Sequence, residues 1–350
     1  MGRRVLVTGL GTFWGGRVAQ ALENDPDVDV IVGLDREEPT VPLERTEFVR
    51  ADESYSILAR IVKAARVDTI LHTFLVVDST SMSSRHLHET NVIGTMNLLA
   101  AAGAAGSTVR NVVVKSSTLV YGAAPEDPVW FSEETPRSRP ASTRVEKSLL
   151  EVEGYLRDFA VDNPHVVVTL LRFSNVLGPH ITTALSRALE MPAVPHVFGF
   201  DPRFQFVEEG DVIRSILFVM RNSIPGIYNV AGDGLLPWSE VVAICGGKPL
   251  IPLPPYFTPL ALAPLKRLGL LDLPLELLEL LRFGRGVDNR RLKAAGFRYE
   301  HTSAGTVERF WQSVRLRRTV GESETGFVFE RDVENFFRHS PAVVREDADA

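Results

Sequence analysis

The chain has 350 residues, 45% of them hydrophobic and 23% charged, with a formal net charge of −6. This length allows one large α/β domain with an added lobe, or two domains. Residues 319–350 contain eight acidic residues and three arginines, which leaves the preceding 318 residues almost neutral and without a basic stripe. We therefore predict no nucleic-acid partner and, over residues 317–350, an acidic and flexible tail.

Cysteine content and hydrophobic patterning indicate the compartment. Cys245 is the only cysteine, which excludes an internal disulfide, and no Cys/His cluster has zinc-like spacing. We therefore predict a cytoplasmic protein without a metal site. No apolar signal core follows Met1. The leucine-rich segment 260–281 contains five charged residues, so we expect it to pack in a core and predict no transmembrane segment.

Short apolar runs alternate with helical patterns through the first half of the chain. This alternation is typical of an α/β fold of the Rossmann type, with a doubly wound, mostly parallel sheet covered on both faces. Ligands of such sheets bind beyond the carboxyl ends of the strands. The predicted strands are 4–8, 28–35, 47–50, 69–73, 111–116 and 166–172, and the predicted helices are 15–24, 55–65, 86–105 and 145–162.

The pattern changes after residue 172, where proline becomes frequent. Two segments, 203–208 and 226–231, still have the pattern of sheet strands, with a helix predicted over 211–221 between them. We predict a nucleotide-binding domain over residues 1–173, completed by parts of 203–232. Residues 174–202 and 233–316 are expected to form a smaller C-terminal substrate lobe.

A glycine-rich turn follows the first strand, with Gly9, Gly11 and Gly15 leading into a helix. Backbone N–H groups at such a helix start bind phosphate. Asp35 lies 20 residues past Gly15, where a carboxylate hydrogen-bonds the adenosine ribose of a dinucleotide. Because a carboxylate repels a 2′-phosphate, we predict NAD as the cofactor, although Arg36 weakens this preference. Further contacts from the turn are expected from Thr12, Phe13 and Trp14.

Several further motifs resemble the extended short-chain dehydrogenase/reductase family, in particular its NAD-dependent epimerase/dehydratase group of the UDP-glucose 4-epimerase type, over roughly residues 3–300. The most specific are residues 115–122 (KSSTLVYG), 91–95 (NVIGT) and 171–179 (LRFSNVLGP). The family's glycine spacing differs, since position 12 is Thr12 and the extra glycine is Gly11. The resemblance implies additional cofactor contacts from Asp52, His72, Thr73, Phe74, Asn91, Ser116 and Lys147.

The resemblance also implies a catalytic serine, tyrosine and lysine, of which this chain has Ser117 and Lys147. Thr143 stands where the family has its tyrosine. The tyrosine moves a proton on the substrate hydroxyl, and threonine cannot replace it because its hydroxyl does not ionise near neutral pH. The implied function is that of an epimerase/dehydratase-like protein, which acts on a nucleotide sugar or similar hydroxylated substrate by transient hydride transfer.

Three interpretations of the missing tyrosine stay open. In one, another residue has taken over proton transfer; in another, the protein binds NAD(H) as a non-catalytic regulator or scaffold. In the third, the chemistry needs no base from the protein. The candidates for a displaced acid/base are Tyr121, His72, Glu146, Tyr155 and His180.

The substrate lobe admits two classes of ligand. By resemblance, Ser117, Asn175, His180 and Arg203 would face the substrate, and Arg282 or Arg285 would offer further phosphate contacts. An apolar pocket for a steroid-like or terpenoid-like alcohol is the alternative, and it depends on Phe200, Phe204, Phe206 and residues 249–255.

The resemblance also implies a homodimer through the helices that carry Asn91 and Lys147.

Overall fold

A parallel sheet of seven strands forms the centre of the protein, in a computed structural model that describes residues 2–78, 82–255 and 273–320. The described strands are β1 (Arg3–Thr8), β2 (Val28–Asp35), β3 (Thr46–Arg50), β4 (Thr69–His72), β5 (Asn111–Ser117), β6 (Val167–Phe173), β7 (Asn175–Leu177), β8 (Val194–Val197), β9 (Arg203–Phe204), β10 (Phe206–Glu208), β11 (Gly226–Val230), β12 (Leu236–Pro237) and β13 (Leu250–Leu253). The strand order of the central sheet is β11-β6-β5-β4-β1-β2-β3, and every neighbouring pair is parallel.

The sheet is covered on both faces, which explains the apolar runs of its central strands. One layer contains the first helix and the long helix that precedes β11; the other contains three helices that pack on the opposite face. The described helices are α1 (Phe13–Glu23), α2 (Tyr55–Ala64), α3 (Ser84–His88), α4 (Gly94–Ala102), α5 (Arg144–Asp162), α6 (Ala184–Glu190), α7 (Glu209–Asn222), α8 (Trp238–Ile244), α9 (Leu275–Phe283), α10 (Arg290–Ala294) and α11 (Ser303–Val320).

The strand order confirms the predicted doubly wound fold. The chain runs from β1 outward to β3, returns to β4 on the other side of β1, and then runs outward again. The direction of winding therefore reverses between β1 and β4. A crevice opens at such a point beyond the carboxyl ends of the strands, and this is where ligands of open α/β sheets bind.

Two local predictions were wrong in detail. The helix expected over 86–105 contains a π-helical turn, Glu89–Ile93, between α3 and α4. The strand expected over 203–208 is split at Gln205, whose side chain donates to the Gly232 carbonyl and accepts from the Val287 amide. Because of this break, β9 pairs with β12 and β10 pairs with β7, so only β11 of this region joins the main sheet.

The second lobe has its own core, built from β8, β13, α8 and the start of α11. Of the leucine-rich segment, α9 buries Leu277, Leu278, Leu280 and Leu281, and residues 256–272 lie outside the described residues. Within the described ranges, no helix combines the length and apolar character that crossing a bilayer requires. Helix α11 continues past residue 316, and the predicted tail from residue 321 onward also lies outside the described residues.

Candidate cofactor and substrate cleft

The turn after β1, at the edge of the sheet, has glycine at positions where a side chain would not fit. Gly9 has a φ of +77°, and a Cβ there would lie 2.6 Å from the Cβ of Phe74. A Cβ at Gly15 would collide with the Gly9 carbonyl oxygen. Thr12 caps α1, since its hydroxyl accepts from the Gly15 amide at 3.1 Å and donates to the Gly9 carbonyl at 2.6 Å. Helix α1 thus presents its first N–H groups at this edge, as an anion-binding site requires.

Asp35 ends β2 directly beside this turn. Its carboxylate accepts from the Gly11 amide at 2.9 Å, and from the amides of Arg36 and Glu37 at 2.6 and 3.1 Å. These bonds fix the carboxylate in one orientation and leave acceptor capacity for further donors. The Arg36 guanidinium lies 3.7 Å from the Glu53 carboxylate, and Asp52, which is exposed, accepts from the Ser54 amide before α2.

The segment after β4 lies beneath the glycine turn. Thr73 donates its hydroxyl to the Thr8 carbonyl at 2.8 Å, and Phe74 packs against the turn. His72 is fully buried, with its ring nitrogens 3.0 and 2.9 Å from the hydroxyls of Thr8 and Thr95. Burial and the nearby charge of Lys115 lower the His72 pKa to about 3. The His72 side chain is thus neutral and enclosed by protein groups.

Asn91 connects three elements below the cleft. Its side-chain amide bonds both the N–H and the carbonyl of Val76, at 2.8 and 2.9 Å, and donates to the Ser148 hydroxyl at 3.1 Å. The π-helical turn carries Asn91 and thereby ties the segment after β4 to α5. Because Asn91 is fully buried, its role in this structure is to hold the floor of the site.

A cleft of about 300 Å³ lies between the sheet edge and the second lobe. Its floor comes from the start of α1 and the end of β5, and its far wall from α6, α9 and the segment after β6. Ser117 and Asn175 line it, as does Arg285, whereas His180 and Arg203 do not. The full lining is Phe13, Trp14, Val77, Asp78, Lys115–Leu119, Phe173–Val176, Ile181–Leu185, Pro274, Glu276, Leu277, Leu280 and Arg285.

Of the two predicted catalytic residues that this chain retains, Ser117 lines the cleft and Lys147 does not. Ser117 ends β5 at the cleft. Thr143 is buried as the N-cap of α5, where it forms a capping box with Glu146. Lys147 is exposed on the first turn of α5 and is not part of the cleft lining. The catalytic role of Lys147 stays a prediction, and in this conformation its amine faces solvent.

A buried ion pair stabilises the wall behind β5. Arg172 on β6 bonds the Glu153 carboxylate through Nε at 3.0 Å and Nη2 at 2.6 Å, and Ser116 donates to the same carboxylate at 3.1 Å. Burial opposes the charge of Arg172, but the Glu153 carboxylate holds the Arg172 pKa above its ordinary value. Arg172 also donates to the Tyr121 hydroxyl at 2.7 Å, and that hydroxyl lies 2.8 Å from Asn229 Oδ1.

The candidates for a displaced acid/base are therefore engaged elsewhere. The Tyr121 hydroxyl belongs to the Arg172 network, and burial raises the Tyr121 pKa. The Glu146 carboxylate accepts from Arg137 at 3.0 Å. Tyr155 borders a groove between α4 and α5, away from the cleft. The backbone of His180 donates to Glu209 at 3.1 Å, and its side chain is outside the cleft lining. None of these five lines the cleft.

Of the three arginines proposed as phosphate contacts, only Arg285 lines the cleft. Arg203 is exposed on β9, and Arg282 borders a different polar cavity beside Arg137 and Arg139. Arg285 is buried in the cleft wall and donates to the Gly122 carbonyl at 2.6 Å. Burial lowers the Arg285 pKa to about 10. Asn175 donates its side-chain amide to the Gln205 carbonyl at 2.9 Å.

Sequence reasoning gave no role to Lys115, which the structure brings into the cleft. Lys115 is 5% exposed, and its Nζ lies 5.8 Å from the centre of the Trp14 ring. Burial lowers the Lys115 pKa from its ordinary 10.5 to about 8. The signal available in the sequence was a lysine directly after three valines of a predicted strand. Asp78 and Glu276 also line the cleft and were not predicted as site residues from the sequence.

The fold and the cleft together define a class of protein, a Rossmann-type α/β protein with a second lobe over the carboxyl ends of the strands. The chain belongs to the NAD dependent epimerase/dehydratase family, whose model matches residues 5–231. An uncharacterised protein of Mycobacterium tuberculosis is 36% identical over 314 residues, which are 87% of this chain and 82% of that protein.

Characterised relatives are more distant. A UDP-glucose 4-epimerase of Erwinia amylovora is 30% identical over 188 residues, half of this chain and 54% of the relative. The solved structure of a UDP-glucose 4-epimerase from Thermus thermophilus with NAD superposes with a TM-score of 0.67 at 22% identity, and covers 89% of this chain and 99% of that structure. At this identity the likeness establishes the fold.

Proposed function

We propose that the chain binds NAD(H) along the glycine turn and acts on a hydroxyl group of a nucleotide sugar or related substrate in the adjoining cleft, by transient hydride transfer. The observation that carries this proposal is the Asp35 carboxylate, held by the Gly11 amide at 2.9 Å beside the glycine-rich turn. A dinucleotide needs both features, a carboxylate for its ribose hydroxyls and backbone N–H groups at a glycine-rich helix start for its pyrophosphate.

The residues present fit NAD better than NADP. A 2′-phosphate would meet the negative charge of Asp35. The guanidinium of the adjacent Arg36 lies 3.7 Å from the Glu53 carboxylate. The Arg36 side chain is 56% exposed and the Glu53 side chain 13%, and the pair directs the guanidinium toward the start of α2. When bound, NAD supplies the acceptor and donor of a hydride. The protein's part is to hold the dinucleotide by the turn and Asp35, with Ser117 and Asn175 as proposed substrate contacts.

A second candidate substrate class has support of its own. The wall that the second lobe contributes is largely apolar, with Ile181, Leu185, Leu277 and Leu280 among its residues. Such a wall favours an apolar alcohol over a diphosphate. Arg285, the cation of that wall, already donates to the Gly122 carbonyl. The predicted homodimer and cytoplasmic location stay predictions.

Calorimetry with NAD⁺, NADH, NADP⁺ and NADPH tests the cofactor part. We expect wild type to bind NAD(H) selectively, and Asp35→Ala to weaken binding by at least about tenfold, because it removes the ribose acceptor. Asp158→Ala, which changes an exposed aspartate on α5, serves as the matched control. If no dinucleotide binds, the proposed function is wrong.

NADH absorbance in single turnovers then separates the substrate classes. UDP-glucose and UDP-glucuronic acid test the nucleotide-sugar class, and a sterol alcohol tests the apolar class. NADH formed with the sugar nucleotides supports the proposal. Formation only with the sterol supports the second candidate. Tight NAD binding without hydride transfer from any of them favours the non-catalytic regulator or scaffold.

A further inference from the structure

We propose that Lys115 is the proton-transfer residue of this site and has taken the role that the absent tyrosine leaves open. This inference rests on the proposed function, since it concerns the proton that leaves a substrate hydroxyl when its carbon loses a hydride. It differs from the displaced candidates considered from the sequence, all of which lie outside the cleft lining.

Lys115 and Ser117 lie on the same face of β5. Side chains two residues apart on a strand point to the same face and stand about 7 Å apart at their origins. Lys115 and Ser117 are such a pair, and both line the cleft. Ser116 between them points the other way, into the Glu153 carboxylate. A lysine side chain is long enough to reach along the strand toward the ligand that Ser117 contacts.

The amine of Lys115 is buried beside the Trp14 ring. Lys115 forms no salt bridge with any carboxylate in the described ranges, and its amine faces the Trp14 ring at 5.8 Å. A charged lysine without a counter-ion is rarely buried to this degree. The titratable groups on the elements around it are His72 on β4, and Asp78, Glu276 and Arg285 in the cleft lining.

The protonation state fits the role. His72 is neutral at physiological pH, and the burial of Lys115 brings its pKa to about 8. An amine with this pKa exists in both forms near neutral pH, which is what a general acid/base requires. Lysine used in this way is desolvated, in contrast with a structural lysine at the surface.

The proposed step oxidises a substrate alcohol to a carbonyl by removing one proton and one hydride. The neutral amine of Lys115 accepts the O–H proton of a substrate alcohol and becomes an ammonium, while the carbon's hydride passes to an oxidised nicotinamide dinucleotide. The substrate C–O becomes a carbonyl. In the reverse direction the ammonium returns its proton to the carbonyl oxygen as the hydride returns to carbon. Lys147, by contrast, is exposed on α5 and is not part of the cleft lining.

The charge of the nicotinamide ring allows a test that does not depend on turnover. The ring is cationic in NAD⁺ and neutral in NADH, whereas the rest of the two dinucleotides is the same. The chain has six lysines, so their ¹³Cε resonances can be resolved, and Lys115→Met assigns the one of interest. We expect the Lys115 pKa to be lower in the NAD⁺ complex than in the NADH complex by roughly one pH unit. Equal values in the two complexes would overturn the inference.

A kinetic test uses the same variants. With UDP-glucose as the probe, Lys115→Met and Lys115→Arg should slow NADH formation by about 10²-fold or more, while NAD⁺ binding by calorimetry changes little. Lys63→Met, at an exposed site on α2, is the matched control. An unchanged rate in Lys115→Met overturns this inference and leaves the proposed function standing. If wild type binds no dinucleotide, or forms no NADH from the probe, the proposed function fails first and the inference with it.

Discussion

Thr143 and Glu146 hold each other at the start of α5. The Glu146 amide donates to the Thr143 hydroxyl at 3.2 Å, and the Thr143 amide donates to the Glu146 carboxylate at 3.4 Å. The same carboxylate accepts from Arg137 at 3.0 Å. The position where the family has its tyrosine is thus a helix cap in this chain, and the surrounding residues are built around that cap.

Thr143→Tyr should therefore destabilise the protein without restoring the family's chemistry. A phenol cannot accept the Glu146 amide in this geometry, so we expect the free energy of unfolding to fall by about 1 kcal/mol. Thr143→Ser keeps the capping hydroxyl and should stay within a few tenths of a kcal/mol of wild type. Urea denaturation measures both. A Tyr variant as stable as wild type would show that the cap contributes nothing.

The Arg172–Glu153 pair offers a second test of how the cleft is supported. Glu153→Gln leaves the buried Arg172 guanidinium without its counter-charge, and such losses cost about 3–5 kcal/mol. The expected result is a marked drop in the urea midpoint. Glu151→Gln alters a neighbouring exposed glutamate on the same helix and should change stability by at most about 0.5 kcal/mol. Equal midpoints for the two variants would contradict the role of the pair.

The sheet and the cofactor turn could be predicted because their signals are local. A buried parallel strand is a continuous apolar run, and the run over 28–35 corresponds to β2 residue for residue. The glycines and Asp35 are spaced by the helix and strand that connect them, and in the structure the Gly11 amide donates to the Asp35 carboxylate.

The direction of side chains could not be predicted in the same way. The motif gives the chain position of Lys147, but its exposure depends on where α5 begins, and α5 begins only at Arg144 because Thr143 is its cap. The strand pairing of the second lobe could not be predicted for another reason. Its short strands pair with segments that are distant in the sequence, as β9 does with β12, and no local pattern encodes those partners. The position of Lys115 was visible in the sequence, but only as a charged residue directly after an apolar run.

His72 should make stability depend on pH. Its pKa is about 3 in the folded protein, against an ordinary 6.5. Below about pH 6.5 the unfolded chain binds a proton that the folded protein does not, so this contribution is fully present above pH 6.5 and is lost as the pH falls toward 3. The expected loss is about 1.4 kcal/mol per pH unit within that window.

Urea denaturation at a series of pH values measures this slope. His72→Gln can still bond the hydroxyls of Thr8 and Thr95 but does not titrate, so wild type should lose about 1 kcal/mol more than the variant between about pH 6 and pH 5. His88→Gln replaces an exposed histidine on α3 and should keep the wild-type slope. Parallel curves for wild type and His72→Gln would mean that His72 takes up a proton in the folded state.

Lys115→Met separates a functional lysine from a structural one by the sign of its effect on stability. Burial lowers the Lys115 pKa from 10.5 to about 8, so at neutral pH the charged amine costs the folded state about 3 kcal/mol. Methionine removes that cost and fits the same apolar space. We expect a higher urea midpoint for Lys115→Met at pH 7, with about 1–3 kcal/mol of added stability.

The stability that Lys115→Met gains over wild type should decrease as the pH rises above about 8. Between pH 8 and about 10.5 the folded protein releases the Lys115 proton while the unfolded chain keeps it, so wild-type stability rises and the difference from the variant narrows. Lys63→Met should show neither the gain nor the narrowing. A lysine kept for stability would give the opposite sign, with Lys115→Met unfolding at lower urea at pH 7. A site that gains stability and loses hydride transfer on the same substitution shows the trade-off expected of a catalytic group.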